Sequence, residues 1–184
     1  MPIFIERDKM ILYNLFVEQF LYTLFHNFKG SDANDLDELN IDLWHAYCDV
    51  NQTFVQHLIQ VKKENDMIWI HNLYLMLCPL YIKRHDINAN IGFYLHSPFP
   101  SSDIFRTFVY RNEIIKSLLC CDVIGFHIFE NARNLIAVCE KLLKLEISIK
   151  KGGFIVIEYN GRNILVKINH IGIDQEDMAT MLRS

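Results

Sequence analysis

Three histidines stand directly after short apolar runs: Ile70 precedes His71, Leu95 precedes His96, and Phe126 precedes His127. Runs that are apolar throughout suit central strands of a parallel sheet, buried on both faces. In an open parallel sheet, ligands bind in the crevice outside the carboxyl ends of the strands. The three imidazoles therefore predict one polar rim on which chemistry can sit. Three histidines also raise a zinc site, whose ring nitrogens would have to converge to about 2.0–2.1 Å from the ion. The segments around them hold no H-E-x-x-H pair, and the only candidate carboxylate to orient a ring is the distant Asp122. For His71 and His127 the plainer arrangement is favoured, a hydrogen bond from the ring to a loop carbonyl.

After His96 the chain reads Ser97-Pro98-Phe99-Pro100-Ser101-Ser102. Two prolines restrict this backbone, and a stiff loop at a strand end can hold a sugar or phosphate in a fixed pose, although it is equally an ordinary way to turn a corner. Ser101 or Ser102 is expected to cap the next helix, with Asp103 in its first turn. Neither G-x-G-x-x-G nor G-x-x-x-x-G-K-[ST] occurs, and Gly152-Gly153 falls in a hairpin, so no self-contained nucleotide site is expected. Without G-x-S-x-G, nucleophilic serine chemistry has no anchor.

The elements that must carry this rim follow from periodicity. Met10 to Phe28 places Leu12, Leu15, Phe16, Phe20 and Leu24 at helical spacing, the polar stretch Lys29 to Asn40 reads as a loop, and a second amphipathic helix begins at Ile41. Strands are predicted over Met67 to Ile70, Ile91 to Leu95 and Val123 to Phe126, with crossover helices Leu73 to His85 and Ser101 to Cys120 between them. This order predicts a Rossmann-like, doubly wound parallel α/β sheet. A helix over Ile128 to Leu143 follows, then short strands Glu146 to Ile149, Phe154 to Tyr159 and Asn163 to Ile168. Asn160-Gly161 is a type I′ turn signal, so a small antiparallel hairpin is expected to decorate the sheet. Asp174 is expected to start a final short helix.

With 184 residues, 51% of them apolar, the chain can bury one substantial core, and a single domain over 1–184 is expected. A net charge of -4 gives no footprint for a polyanion, which argues against a nucleic-acid partner. The five cysteines lie inside apolar periodic segments without C-x-x-C spacing and read as reduced core thiols. Residues 1–5 are too short for a signal peptide and no apolar run approaches a membrane span, so a cytoplasmic location without a membrane partner is expected.

Taken together, these residues resemble a known family. Ile91-Gly92-Phe93-Tyr94-Leu95-His96-Ser97-Pro98-Phe99-Pro100 with Ser101-Ser102-Asp103-Ile104-Phe105-Arg106-Thr107 is similar to the signature of trehalose-phosphate synthases. Asp122-Val123-Ile124-Gly125-Phe126-His127 with Ala132-Arg133 continues it, and Trp69-Ile70-His71, Trp44, Tyr47 and Asn51 extend it over nearly the whole chain. The resemblance implies the amino-terminal half of a GT-B glycosyltransferase, with the nucleotide-binding carboxyl-terminal half supplied by the rest of the parent protein. It implies glucose transfer from UDP-glucose to glucose 6-phosphate with retention of configuration and no metal or other cofactor.

By the same resemblance His96 contacts the donor glucose, while Tyr13 and Tyr22 bind glucose 6-phosphate. Tyr22 stands where the family has tryptophan, and His71-Asn72-Leu73-Tyr74 replaces the family's H-D-Y-H. Asn72 thus takes the place of an acceptor-binding aspartate. An amide has one neutral acceptor and a donor where a carboxylate accepts with full charge, so weaker or altered acceptor binding is expected, as is compensation by Tyr74 or His71 in a working enzyme. A catalytically degenerate, regulatory or sugar-phosphate-binding domain is the alternative that these replacements support.

Overall fold

The computed structural model describes residues 2–26, 37–150, 154–170 and 172, with side chains of residues 37–40 excepted. Helix α1 (Arg7–Leu15) passes through a π-helical stretch, Phe16–Leu21, into α2 (Tyr22–Phe25). Tyr13, Phe16, Val17, Leu21 and Phe25 on this rod are buried. Helix α3 (Asp37–Val61) packs on α1 and buries Leu43, Trp44, Ala46, Tyr47, Val50 and Val55. It starts four residues before Ile41, inside the stretch expected to be a loop. The remainder of that stretch up to residue 36, Phe28, and the helix expected from Asp174 lie outside the described residues.

The strands are β1 (Met67–His71), β2 (Asn90–Leu95), β3 (Val123–Phe126), β4 (Ile147–Lys150), β5 (Phe154–Tyr159) and β6 (Arg162–Ile168). Their spatial order is β1-β2-β3-β6-β5-β4, with β1, β2, β3 and β6 paired in parallel. The antiparallel strands are therefore no appendage: β6 carries the main sheet onward because Leu165 and Val166 register against Val123 and Ile124. The β5–β6 turn has positive φ at both Asn160 (51°) and Gly161 (73°), the backbone that a type I′ turn demands.

Both crossover segments are broken rather than continuous. After β1, a 3₁₀ turn (Leu73–Leu75) precedes α4 (Cys78–His85), whose first turn carries Pro79, where the missing N–H costs nothing. After β2, the helix expected over Ser101 to Cys120 divides into α5 (Ser102–Phe105) and α6 (Arg111–Leu118). The Thr107 hydroxyl donates to the Ile104 carbonyl at 2.8 Å, competing with helix continuation. The Tyr110 ring stacks on Trp44 with centroids 4.0 Å apart, drawing the linker onto α3. Helix α7 (Phe129–Leu143) then packs on β3 and β6. It ends at Lys144 in the left-handed conformation.

Pleating sends alternate residues of each strand to opposite faces. On β1, Ile68 and Ile70 face the core while Met67, Trp69 and His71 are exposed. Trp69 lies over Gly92 and Tyr94 over Gly125, where an added Cβ would sit 2.3 Å and 2.4 Å from the rings. These two glycines leave room for aromatic rings from the neighbouring strand, and Tyr94 is thereby laid toward the end of β3. All five cysteines are free thiols, and burial raises Cys48 to about 11 and Cys139 to about 12. No helix among the described residues is long and apolar enough to cross a membrane.

Candidate active site at the carboxyl ends of the strands

The rim predicted from the strand ends is present, and its three histidines touch one another. His71 Nδ1 lies 2.9 Å from His96 Nε2, and His96 Nδ1 lies 3.1 Å from His127 Nε2. His127 Nδ1 is in turn 2.9 Å from the Tyr94 hydroxyl, which donates to the Asn169 carbonyl. The expectation that His71 and His127 bond loop carbonyls is corrected by this chain: each spends a ring nitrogen on His96. Parallel register explains it. His71 lies opposite Tyr94, so His96 projects beyond it and meets the ring of His71 from one side and that of His127 from the other.

The rings form a line rather than a cup, and both nitrogens of His96 are engaged within it. Among the described residues no group of three His, Cys, Asp or Glu side chains is arranged to hold a metal ion. Asp122 stands at the opposite end of β3, where it accepts from the Ile91 N–H and pairs with Arg162 at 2.6 Å and Lys83 at 3.7 Å. His96 is exposed, and partial burial together with the neighbouring His127 and His71 holds its imidazole below the ordinary range.

Asn72 follows β1 with φ 59° and ψ -163°, a backbone region that residues with a side chain rarely occupy. Its N–H donates to the Tyr94 carbonyl at 2.9 Å. Its side-chain oxygen accepts the Ser97 hydroxyl at 3.0 Å and the Ser97 N–H at 3.3 Å. The Asn72 amide oxygen is thus occupied by Ser97. Strained backbone held in place by surrounding bonds is characteristic of ligand-binding positions.

The turn after Asn72 is clamped from behind. The Tyr13 hydroxyl donates to the Tyr74 carbonyl at 3.0 Å, and the Tyr47 hydroxyl to the Leu73 carbonyl at 2.7 Å. The Asn51 amide donates to the Tyr74 carbonyl at 3.2 Å and accepts from the Leu77 N–H at 3.1 Å. Tyr13 is buried, which pushes its hydroxyl well above the usual phenol range, and its proton is committed to this turn. Tyr22 is 48% exposed and stacks on His26 at 3.8 Å between centroids, one π-helical stretch away from Tyr13.

The proline loop is pinned from α7. Asn131 accepts the Phe99 N–H at 3.1 Å, and Asn134 donates to the Phe99 carbonyl at 2.8 Å. The Phe99 ring is buried against Phe25, Phe105 and Phe126. Ser101 occupies the cap position of α5 but makes no side-chain cap bond, while the Ser102 hydroxyl accepts from Lys141 instead. Asn131, Asn134 and Tyr94 were not singled out from the sequence. Tyr94 carried a usable signal, since it lies two residues before His96 on the same strand face.

Beside the rim, a cleft of about 430 Å³ runs between α3 and β1, lined by Phe54, Leu58, Ile68, Trp69 and Ile70 and reaching the histidines only through His71. It is apolar, whereas the polar atoms that could orient a sugar lie on the rim itself.

The model of glycosyltransferase family 20 matches residues 1–184. The protein named probable alpha,alpha-trehalose-phosphate synthase (UDP-forming) 7 of Arabidopsis thaliana is 38% identical over 172 residues, covering 93% of this chain and 20% of its own length. The alpha,alpha-trehalose-phosphate synthase (UDP-forming) 56 kDa subunit of Saccharomyces cerevisiae is 36% identical over 190 residues, covering 99% of this chain and 36% of its own. Among solved structures, the amino-terminal domain of Candida albicans trehalose-6-phosphate phosphatase superposes with a TM-score of 0.86 at 32% identity, covering 97% of this chain and 36% of that one. The chain thus spans between about a fifth and a third of the length of these proteins.

Proposed function

Because the chain belongs to glycosyltransferase family 20, we propose that it supplies the amino-terminal, acceptor-side domain of an enzyme transferring glucose from UDP-glucose to glucose 6-phosphate. The product is trehalose 6-phosphate. In the transfer, the bond from the glucose anomeric carbon to the UDP phosphate breaks and a bond to the acceptor hydroxyl forms on the same face. The acceptor's proton passes to the leaving phosphate. Such a step needs two substrates held in contact and developing charge stabilised, with no carboxylate pair and no metal.

The observation that carries this reading is the open rim at the carboxyl ends of β1 and β2, whose two strand ends are tied together by the His71–His96 and Asn72–Ser97 contacts. His96 contacts the donor glucose. Asn72, Tyr13 and Tyr22 face glucose 6-phosphate, Tyr13 through the lone pairs of a hydroxyl whose proton is already given to Tyr74. The nucleotide is held by the carboxyl-terminal half of the parent protein, and the reaction takes place in the cytoplasm. UDP release by the parent protein and its His96→Ala form tests the reading. Loss of donor-dependent turnover of tenfold or more, about the worth of one hydrogen bond to a bound sugar, is expected with an unchanged unfolding midpoint. Unaltered turnover would refute the assignment of His96.

A second reading is favoured by the Candida domain, which is the amino-terminal domain of a protein named as a phosphatase, and by Asn72. In it the chain is a synthase-like domain that has kept the fold and binds sugar phosphate without transferring glucose. Asn72→Asp separates the two. In a working synthase it lowers the Michaelis constant for glucose 6-phosphate by about tenfold, the worth of one charge-assisted hydrogen bond. In a non-catalytic domain it restores no turnover.

A further inference from the structure

The direction of every hydrogen bond along the rim follows from one end. A tyrosine hydroxyl has a single proton, and Tyr94 gives it to the Asn169 carbonyl, which can only accept. Tyr94 must then accept from His127, so His127 carries its proton on Nδ1 and leaves Nε2 as a lone pair. That lone pair accepts from His96 Nδ1, and His96 Nε2 in turn accepts from His71 Nδ1. The neutral chain consequently has all three protons on Nδ1, and His71 Nε2 is left as its unused lone pair.

We propose that Tyr94, acting through His127, is a positioning residue that fixes the tautomers of all three rim histidines. It leaves His71 Nε2 as the rim's open acceptor for a ligand hydroxyl and limits the three rings to one added proton. A first extra proton enters at His71 Nε2 without breaking any bond in the chain. A second would set two N–H groups face to face across an imidazole pair and break it.

The other groups facing the unit do not supply a competing partner. On the same sheet face, Trp69 packs edge-on to His71, and Lys167 of β6 directs its ammonium over the Phe154 ring. Among the described residues, no carboxylate makes an ion pair or hydrogen bond with any of the three rings. The ring of Tyr94 is itself seated against Gly125, which has no Cβ to displace it. This assignment concerns the resting protein and stands whether or not the parent transfers a sugar.

Long-range proton–nitrogen NMR correlations of protein labelled with ¹⁵N-histidine read the tautomers directly. In the wild type with the rings neutral, His71, His96 and His127 are each expected as the Nδ1–H form. Tyr94→Phe keeps the ring over Gly125 but removes the acceptor, so the chain is free to run in either direction and all three residues should become tautomer mixtures. His127→Phe cuts the chain between His96 and Tyr94 and should release His71 and His96 in the same way. The double variant should read no differently from His127→Phe at those two rings, because both changes remove one linkage. An Nε2–H form of His96 in the wild type, or an unchanged tautomer pattern in folded Tyr94→Phe or His127→Phe, would overturn the proposal.

Discussion

The side-chain oxygen of Asn72 accepts the Ser97 hydroxyl at 3.0 Å, joining the residue after β1 to the residue that opens the loop after β2. The two positions are 25 residues apart in the chain, yet together they tie two adjacent strand ends into one rim. Asn72 holds this contact from a positive-φ backbone, so its side chain and its conformation serve the same purpose.

That double role separates two substitutions. Asn72→Gly loses the Ser97 bonds, a cost of about 1 kcal/mol, while glycine adopts the backbone freely. Asn72→Ala loses the same bonds and, like asparagine, keeps a Cβ in a conformation close to glycine-only, so it gains none of the relief, on the order of 1 kcal/mol or more, that glycine brings. Urea unfolding should therefore place Asn72→Gly close to the wild type and Asn72→Ala below both. Equal stability of the two variants would show that the strain is not felt.

Gly125→Ala introduces a Cβ at 2.4 Å from a Tyr94 ring carbon, in a sheet where backbone on both sides prevents retreat. Overpacking of this kind costs about 1–3 kcal/mol. Displacing the ring should also separate the Tyr94 hydroxyl from His127, so the substitution is expected to lower the unfolding midpoint and release the histidine tautomers together. A crystal structure of the variant with Tyr94 in place would contradict this.

His96 makes a small, signed contribution to the pH dependence of stability. Its imidazole is held below the ordinary value of about 6.5 by partial burial and by the neighbouring histidines, so the unfolded chain binds the proton more readily. Stability should be unaffected by this residue well above pH 6.5 and should fall as pH drops from there toward the folded value. In chemical unfolding followed between pH 8 and pH 5, His96→Gln should flatten that part of the profile. The residue is exposed, so the slope removed is expected to be shallow.

Tyr13→Phe removes one hydrogen bond to the Tyr74 carbonyl, which keeps the Asn51 amide as a second donor. Because that carbonyl remains paired, the expected loss is only about 0.5–1.5 kcal/mol. A rise in the Michaelis constant for glucose 6-phosphate in the parent protein, beyond what this stability change explains, would mark Tyr13 as an acceptor contact. An unchanged constant would leave it as a support for the turn after β1.

The sequence by itself determined which segments could be strands, and it did so through composition that local physics reads directly. The apolar runs ending at Leu95 and Phe126 became central strands, and Asn160-Gly161 a tight turn with φ positive at both residues, whereas the run ending at Ile70 became the edge strand β1, with Met67 and Trp69 exposed instead of buried. It also placed His71, His96 and His127 at one end of that sheet. Where the sequence named partners, it kept them local: a loop carbonyl for His71 and for His127, and a cap bond for Ser101 or Ser102. Tertiary structure replaced these with partners from neighbouring elements, namely His96 for His71 and His127, and Lys141 for Ser102, and it joined Asn72 to Ser97. The physical reason is register. Which residue of β2 lies opposite His71 is set by how β1, β2 and β3 pack against their helices and by the two glycines that admit Trp69 and Tyr94. A shift of one residue would send every one of these side chains to the other face of the sheet. The interaction of three imidazoles in a line, with their protons directed by a tyrosine, exists only after that register has been chosen.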